Sequence, residues 1–164
     1  MTPQDLIQAF GLLPHPEGGY YKETYRSEEV ISANALPKRF NGDRRFSTAI
    51  YYLLPEGQRS KFHRIQSDEV WHFYLGGPLV IASIDDKGAA MEVTLGQNIA
   101  AGMQLQYVVK AGQWFGAYPA KGSGFCFVGC TVAPGFDFAD FEMGAKEDLL
   151  SQFPGARDRI ERLT

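Results

Sequence analysis

Two cysteines and three histidines are all that this 164-residue sequence carries of the side chains that build redox pairs and zinc sites. Neither count suits a stapled scaffold, and the length does not require one, since roughly 150 residues already bury about two-thirds of their unfolded surface. A metal here would serve function rather than folding. Charge is also sparse: 21% of residues are charged, and the formal net charge is -3. A negative balance removes the usual electrostatic basis for holding phosphate backbones or anionic membranes, so neither nucleic acid nor membrane is expected as a partner. No apolar run approaches the roughly 20 residues that span a bilayer, and Met1-Thr2-Pro3-Gln4-Asp5 lacks the basic-then-apolar pattern of a leader. The expectation is one cytoplasmic domain over residues 1–164 that binds a small molecule.

What is abundant points to strands and turns. Eighteen Gly and nine Pro punctuate the chain, while twelve Phe and eight Tyr supply side chains that favour pleated surfaces. The pattern predicts strands at 20–26, 46–54, 60–66, 69–75, 79–84, 91–95, 104–109, 113–118 and 125–132, separated by Gly- and Pro-bearing turns. Many short strands at this spacing imply an all-β sandwich or barrel. Thr2-Pro3-Gln4-Asp5 has the form of a capping box and predicts a short helix ending at Gly11; Leu149, Leu150 and Phe153 predict a second helix near 146–153. Residues 27–45 have no clear pattern and read as a surface loop able to cover a barrel mouth.

Cys126 and Cys130 alternate with Phe125, Phe127 and Thr131, so both thiols share one face of a strand. Four strand residues separate them by roughly 13 Å, beyond the approximately 7 Å that a disulfide tolerates between Cα atoms. They read as small core residues.

The stretch 57–76 holds two of the three histidines. In a regular strand His63 shares a face with Lys61 and Ile65, and after a turn at 66–68 Glu69, Trp71 and Phe73 share the next strand's inner face. A hairpin closing there would bring His63 to Glu69. Such a pair can move a proton, supply half of a metal site, or simply satisfy two buried polar groups. Alternation puts His72 on the opposite face. His15, between two prolines, reads as a turn-fixing residue, and Arg26 as a solvated strand end.

Gly57, His63, Glu69 and Gly76 resemble the first motif of the cupin superfamily, G-x5-H-x-H-x(3,4)-E-x6-G, with Ile65 in place of the second histidine. A loose match to the second motif places Phe115 at its histidine and Lys110 at its proline. Leu13-Pro-His-Pro-Glu-Gly-Gly-Tyr20, Ser67-Asp-Glu-Val-Trp-His72, Gly112-Gln-Trp-Phe115 and Val132-Ala-Pro-Gly-Phe-Asp-Phe138 look like one small cupin branch of unassigned role. The resemblance implies a jelly-roll-like cupin β-barrel with short terminal helices, assembled as a homodimer. Metal-poor relatives in that superfamily include sugar-nucleotide epimerases and isomerases that use a barrel histidine as base.

The reading that follows is a barrel binding a carbohydrate-like molecule, with metal-independent isomerase or epimerase chemistry. His63 is the base, Glu69 orients or charges it, and Lys61 steadies a developing enolate, while Trp71, Phe73 and Trp114 wall the pocket. No cofactor is required by this reading. The alternatives are a divalent-metal oxygenase-like enzyme using His63, Glu69 and His72, and a non-catalytic binding or storage barrel.

Overall fold

The computed structural model describes all 164 residues. Helix α1 (Pro3–Phe10) starts at Thr2, whose hydroxyl accepts from the Asp5 amide while the Asp5 carboxylate accepts from the Thr2 amide, and it ends at Gly11 in the left-handed conformation. Strands β1 (Leu13–Pro14), β2 (Tyr20–Arg26), β3 (Val30–Ile31), β4 (Arg44–Arg45), β5 (Thr48–Pro55), β6 (Ser60–Arg64) and β7 (Asp68–Gly76) follow. The chain continues with β8 (Leu79–Ile84), β9 (Ala90–Leu95), β10 (Gln106–Val109), β11 (Trp114–Pro119), β12 (Phe125–Ala133) and β13 (Glu142–Met143). It closes with helices α2 (Lys146–Gln152) and α3 (Arg157–Leu163).

Two antiparallel sheets face each other as a jelly roll. One runs β1-β2-β5-β12-β7-β10, the other β13-β6-β11-β8-β9, and β3 with β4 forms a separate ribbon. All nine strands expected from the pattern are present, with ends shifted by at most two residues. The interior between the sheets is filled by Tyr52, Leu54, Trp71, Phe73, Leu79, Ile81, Phe115 and their neighbours, all buried. Helix α1 packs Leu6 against Leu53 and Phe127, covering the outside of the first sheet. Helices α2 and α3 cover the outside of the second sheet, setting Leu149, Ile160 and Leu163 against Phe62, Ala82, Ile84 and Trp114. Ile160 and Leu163 are fully buried, each contributing about 1.5–3 kcal/mol relative to exposure.

Three irregularities decide what faces the interior. Opposite Phe115–Ala117 of β11, β6 spends three residues, His63 back to Ser60, where the partner spends two. This bulge puts Ser60 and His63 on the inner face and sends Phe62 outward beneath the helices. A second extra residue between Glu23 and Tyr25 of β2, opposite Ile50 and Ala49, reverses the alternation so that Tyr21, Glu23 and Arg26 face inward while Tyr25 is exposed. Such bulges re-aim a side chain without ending the strand. Finally, β6 and β7 belong to opposite sheets, so the connection at 65–67 crosses between layers and the hairpin expected at 66–68 is not formed.

Residues 27–45 are likewise more ordered than expected. Phe40 is buried, and Arg44 makes a bidentate, buried ion pair with Asp140, its Nε donating to Oδ2 at 2.7 Å. This segment does not line the interior cavity; it braces the segment that does.

Candidate functional site

At one end of the jelly roll, between the sheets, lies a cavity of about 270 Å³. Its buried members are Glu17, Thr48, Tyr52, His63, Ile65, Glu69, Cys130 and Val132; nearer the mouth are Glu23, Arg26, Phe136, Phe138 and Phe141. The three phenylalanines pack edge to face with centroids 5.0–6.2 Å apart. They form a closed aromatic flank held from behind by Arg44 and Asp140. The expected cover at 27–45 is thus replaced by 136–141.

Glu17 reaches the cavity from a tight turn. The His15 amide donates to the Gly19 carbonyl and the Gly18 amide to the His15 carbonyl, closing the turn, and the Lys61 amide donates to the Glu17 carbonyl, docking it on β6. Gly18 has φ +118°, and a Cβ there would stand 2.1 Å from the Arg59 carbonyl oxygen. Only glycine permits that approach. The glutamate so delivered accepts from the fully buried Ser60 hydroxyl at 2.8 Å through Oε1. Its Oε2 lies 3.2 Å from His63 Nε2.

The tautomer of His63 follows from its other nitrogen. Nδ1 lies 2.7 Å from the Lys61 carbonyl oxygen, which can only accept, so Nδ1 carries a hydrogen and donates it. Nε2 and Glu17 Oε2 would then meet lone pair to lone pair unless one proton sits between them. His63 and Glu17 form a dyad that shares this proton at the cavity wall. His15 plays a different part: the Glu17 amide donates to its Nδ1 at 3.3 Å, so the 3.5 Å approach of that nitrogen to Glu17 Oε2 is not an ion pair. Burial outweighs the pull of the Glu17 carboxylate and lowers the His15 pKa, keeping the ring neutral.

Glu69 enters from β7 and is buried. Removal from water, reinforced by the charge on Glu17, raises its pKa from 4.5 to about 8, while a hydrogen bond with the Cys130 thiol opposes the rise. Beside the contact between Glu17 and His63, the cavity therefore holds a carboxyl group that burial keeps protonated at neutral pH. The Cys130 thiol is pushed well up by its complete burial, and Cys126 up to about 12, so neither is a nucleophile.

His63 and Glu69 both line the cavity as the sequence predicts, but Glu17, not Glu69, is the partner of His63. Lys61 is exposed, because the β6 bulge replaces it on the inner face with Ser60, so it cannot steady an enolate. Trp71 and Phe73 fill the barrel instead of lining the cavity, with Trp71 edge-on to Tyr52 and Phe115 at 5.9 and 6.3 Å. Trp114 lies outside the second sheet under the C-terminal helices, with Arg64 4.5 Å over its ring. None of the three is a pocket wall. Tyr21, Phe136, Phe138 and Phe141 take that place. Arg26, read as a solvated strand end, lines the cavity mouth.

His72 sits on the far side of β7, accepting from the Gln106 amide at Nδ1 and donating from Nε2 to the Thr131 hydroxyl at 3.0 Å. The set His63, Glu69 and His72 is therefore not assembled. At the positions matching the two remaining cupin histidines stand Ile65, in the cavity wall, and Phe115, which pairs with His63 across the strands with its ring 4.1 Å away. Both are apolar, and no three His, Cys, Asp or Glu side chains are arranged to hold an ion. The donor set does not fit the metal that the fold commonly carries.

Glu17 lies in a turn outside every strand pattern, so alternation gives no sign of it. Its one local signal is an acid placed directly before two glycines, which marks a backbone pressed against a neighbour.

No helix is long and apolar enough to cross a membrane. A protein from Shewanella oneidensis of solved structure shares 36% identity over 100% of this chain and 98% of its own, with a TM-score of 0.90. A hypothetical protein from Leishmania major is 31% identical over 100% and 99%, also with a TM-score of 0.90. An uncharacterised protein of Saccharomyces cerevisiae is 29% identical over 96% of this chain and 83% of its own. Bacillus subtilis oxalate decarboxylase, at 15% identity over 92% of this chain and 37% of its own with a TM-score of 0.55, shares the fold alone. A family model described as Cupin superfamily (DUF985) matches residues 4–144. With both sheets in place and most of the length matched, the chain belongs to the cupin superfamily, in its DUF985 branch.

Proposed function

We propose that the cavity binds a small hydroxy-carbonyl compound of carbohydrate type and catalyses proton transfer at the carbon next to the carbonyl, as an isomerase or epimerase does. The observation that carries this reading is the 3.2 Å contact between His63 Nε2 and Glu17 Oε2 with His63 Nδ1 already committed to a backbone carbonyl. Fixing one nitrogen leaves the other as the proton-transfer atom, which is the orientation a general base needs.

The step balances within the cavity. With the shared proton lost to water, the Nε2 lone pair of neutral His63 takes the proton from the ligand carbon as that C–H bond breaks. The electron pair moves onto the carbonyl oxygen to give an enolate. Glu69, protonated at neutral pH, donates a hydrogen bond to that oxygen while charge develops on it. The dyad then returns its proton to one of the enolate carbons and is restored. Glu17 stabilises His63 while the imidazole carries the extra proton, the part the sequence had given to Glu69.

Free aldoses and ketoses incubated with the protein in D2O test this by proton NMR. Loss of the C–H signal next to the carbonyl is expected with wild type and not with His63→Gln. Equal exchange with both would overturn the assignment. A homodimer and a cytoplasmic location belong to the same proposal; a stable monomer in light scattering would remove the dimer.

A further inference from the structure

The mouth of the cavity carries one guanidinium, and three of its five N–H donors, one on each nitrogen, are taken within the protein. Arg26 Nε donates to Glu23 Oε1 at 2.9 Å, Nη2 donates to Glu23 Oε2 at 2.6 Å, and Nη1 donates to the Phe136 carbonyl at 3.3 Å. The β2 bulge is what makes this possible. It turns Glu23 and Arg26, three residues apart, onto the same inner face. An arginine at a pocket mouth is ordinarily the group that captures a phosphate or carboxylate by a bidentate grip. Here an internal carboxylate already occupies that grip.

We propose that Glu23 makes this cavity selective for uncharged ligands by occupying Arg26, so that free sugars enter and phosphorylated or nucleotide-linked sugars do not. This names the substrate class of the site and rests on the reading of the cavity as a ligand site. Two observations of different kinds support it. An entering anion would have to displace Glu23 from Arg26 and then sit near Glu17, whose carboxylate lies deeper in the same cavity. Size points the same way. The cavity of about 270 Å³ falls below the roughly 300–1,000 Å³ that holds drug-sized ligands, so it takes a single ring and not a base, ribose and sugar together. Glu23 is accordingly a specificity-determining residue.

The test uses inorganic phosphate and glucose 6-phosphate as probes, followed by phosphorus NMR line broadening. Glu23 and Arg26 are each about two-fifths exposed, so their pair adds little stability and Glu23→Gln should fold normally; equal melting temperatures check this. Wild type is expected to leave both signals sharp. Glu23→Gln is expected to bind both at least about tenfold more tightly, because a guanidinium with open donors gains charge-assisted hydrogen bonds to phosphate. Adding Arg26→Gln to Glu23→Gln should abolish the gain. The inference is overturned if wild type binds the probes as tightly as Glu23→Gln, if Glu23→Gln gains nothing, or if the double variant keeps the gain. Failure of the proton-transfer reading is seen separately: no C–H exchange with free sugars leaves the phosphate result untouched.

Discussion

His63 Nε2 stands 3.2 Å from Glu17 Oε2, although one residue belongs to strand β6 and the other to a turn before the first long strand. The contact depends on Gly18 at φ +118° pressed onto the Arg59 carbonyl and on Ser60 holding the second carboxylate oxygen. Nitrogen NMR of the imidazole is expected to find Nδ1 protonated. Glu17→Gln should move the Nε2 shift and leave Nδ1 in place. A neutral ring protonated only at Nε2 would contradict the dyad.

Glu69 gives a stability prediction whose sign is fixed by its raised pKa. In the folded state it keeps its proton up to about 8, whereas its ordinary value is 4.5. Between those values the folded state binds more protons than the unfolded state, so stability falls as pH rises through this window. Glu69→Gln removes the titration. Melting curves should show a shallower pH slope for the variant than for wild type, its relative gain building up between 4.5 and about 8 and levelling off above that. Parallel slopes would mean that Glu69 is already ionised in the folded protein. Glu17→Gln should lower the Glu69 pKa, since the Glu17 charge helps to raise it, yet leave it elevated because burial is the larger cause.

The bulge in β6 separates two neighbouring residues in function. Ser60→Ala removes the hydrogen bond that holds Glu17 Oε1 and should slow C–H exchange, while Lys61→Ala, on the outer side, should not change it. Exchange assays run side by side decide the point. A larger effect from Lys61→Ala would mean that the strand is regular in solution.

Asp140→Ala leaves the Arg44 guanidinium buried without its partner, with about 4–5% side-chain exposure on each member of the original pair. Breaking such a pair costs about 3–5 kcal/mol. Replacing both members, as in Arg44→Met with Asp140→Leu, should recover most of that loss in chemical denaturation. If the single variant is as stable as wild type, the pair does not brace the aromatic flank at 136–141.

The strands were legible because alternation and glycine-rich turns are local signals, and the first helix because its capping box is written in four residues. The site was legible only as far as alternation held. His63 and Glu69 were found, but one extra residue in β6 exchanged Lys61 for Ser60, and one in β2 brought Arg26 inward. Bulges arise from pairing with a partner strand, and the partner is not visible in the local pattern. The same holds for Trp71 and Trp114. Their size marked them as important, but only the packing of the sheets and helices shows that they fill the barrel and the outer layer.

The rate of C–H to C–D exchange in a free sugar, measured for wild type and Glu17→Gln from about pH 5 to about pH 9, tests the dyad most directly. The wild-type rate should fall as Glu69 ionises at about 8. Glu17→Gln should lower the maximum by roughly 10²–10⁴-fold, the usual worth of a positioned acid–base group. An unchanged rate and profile in Glu17→Gln would contradict the account.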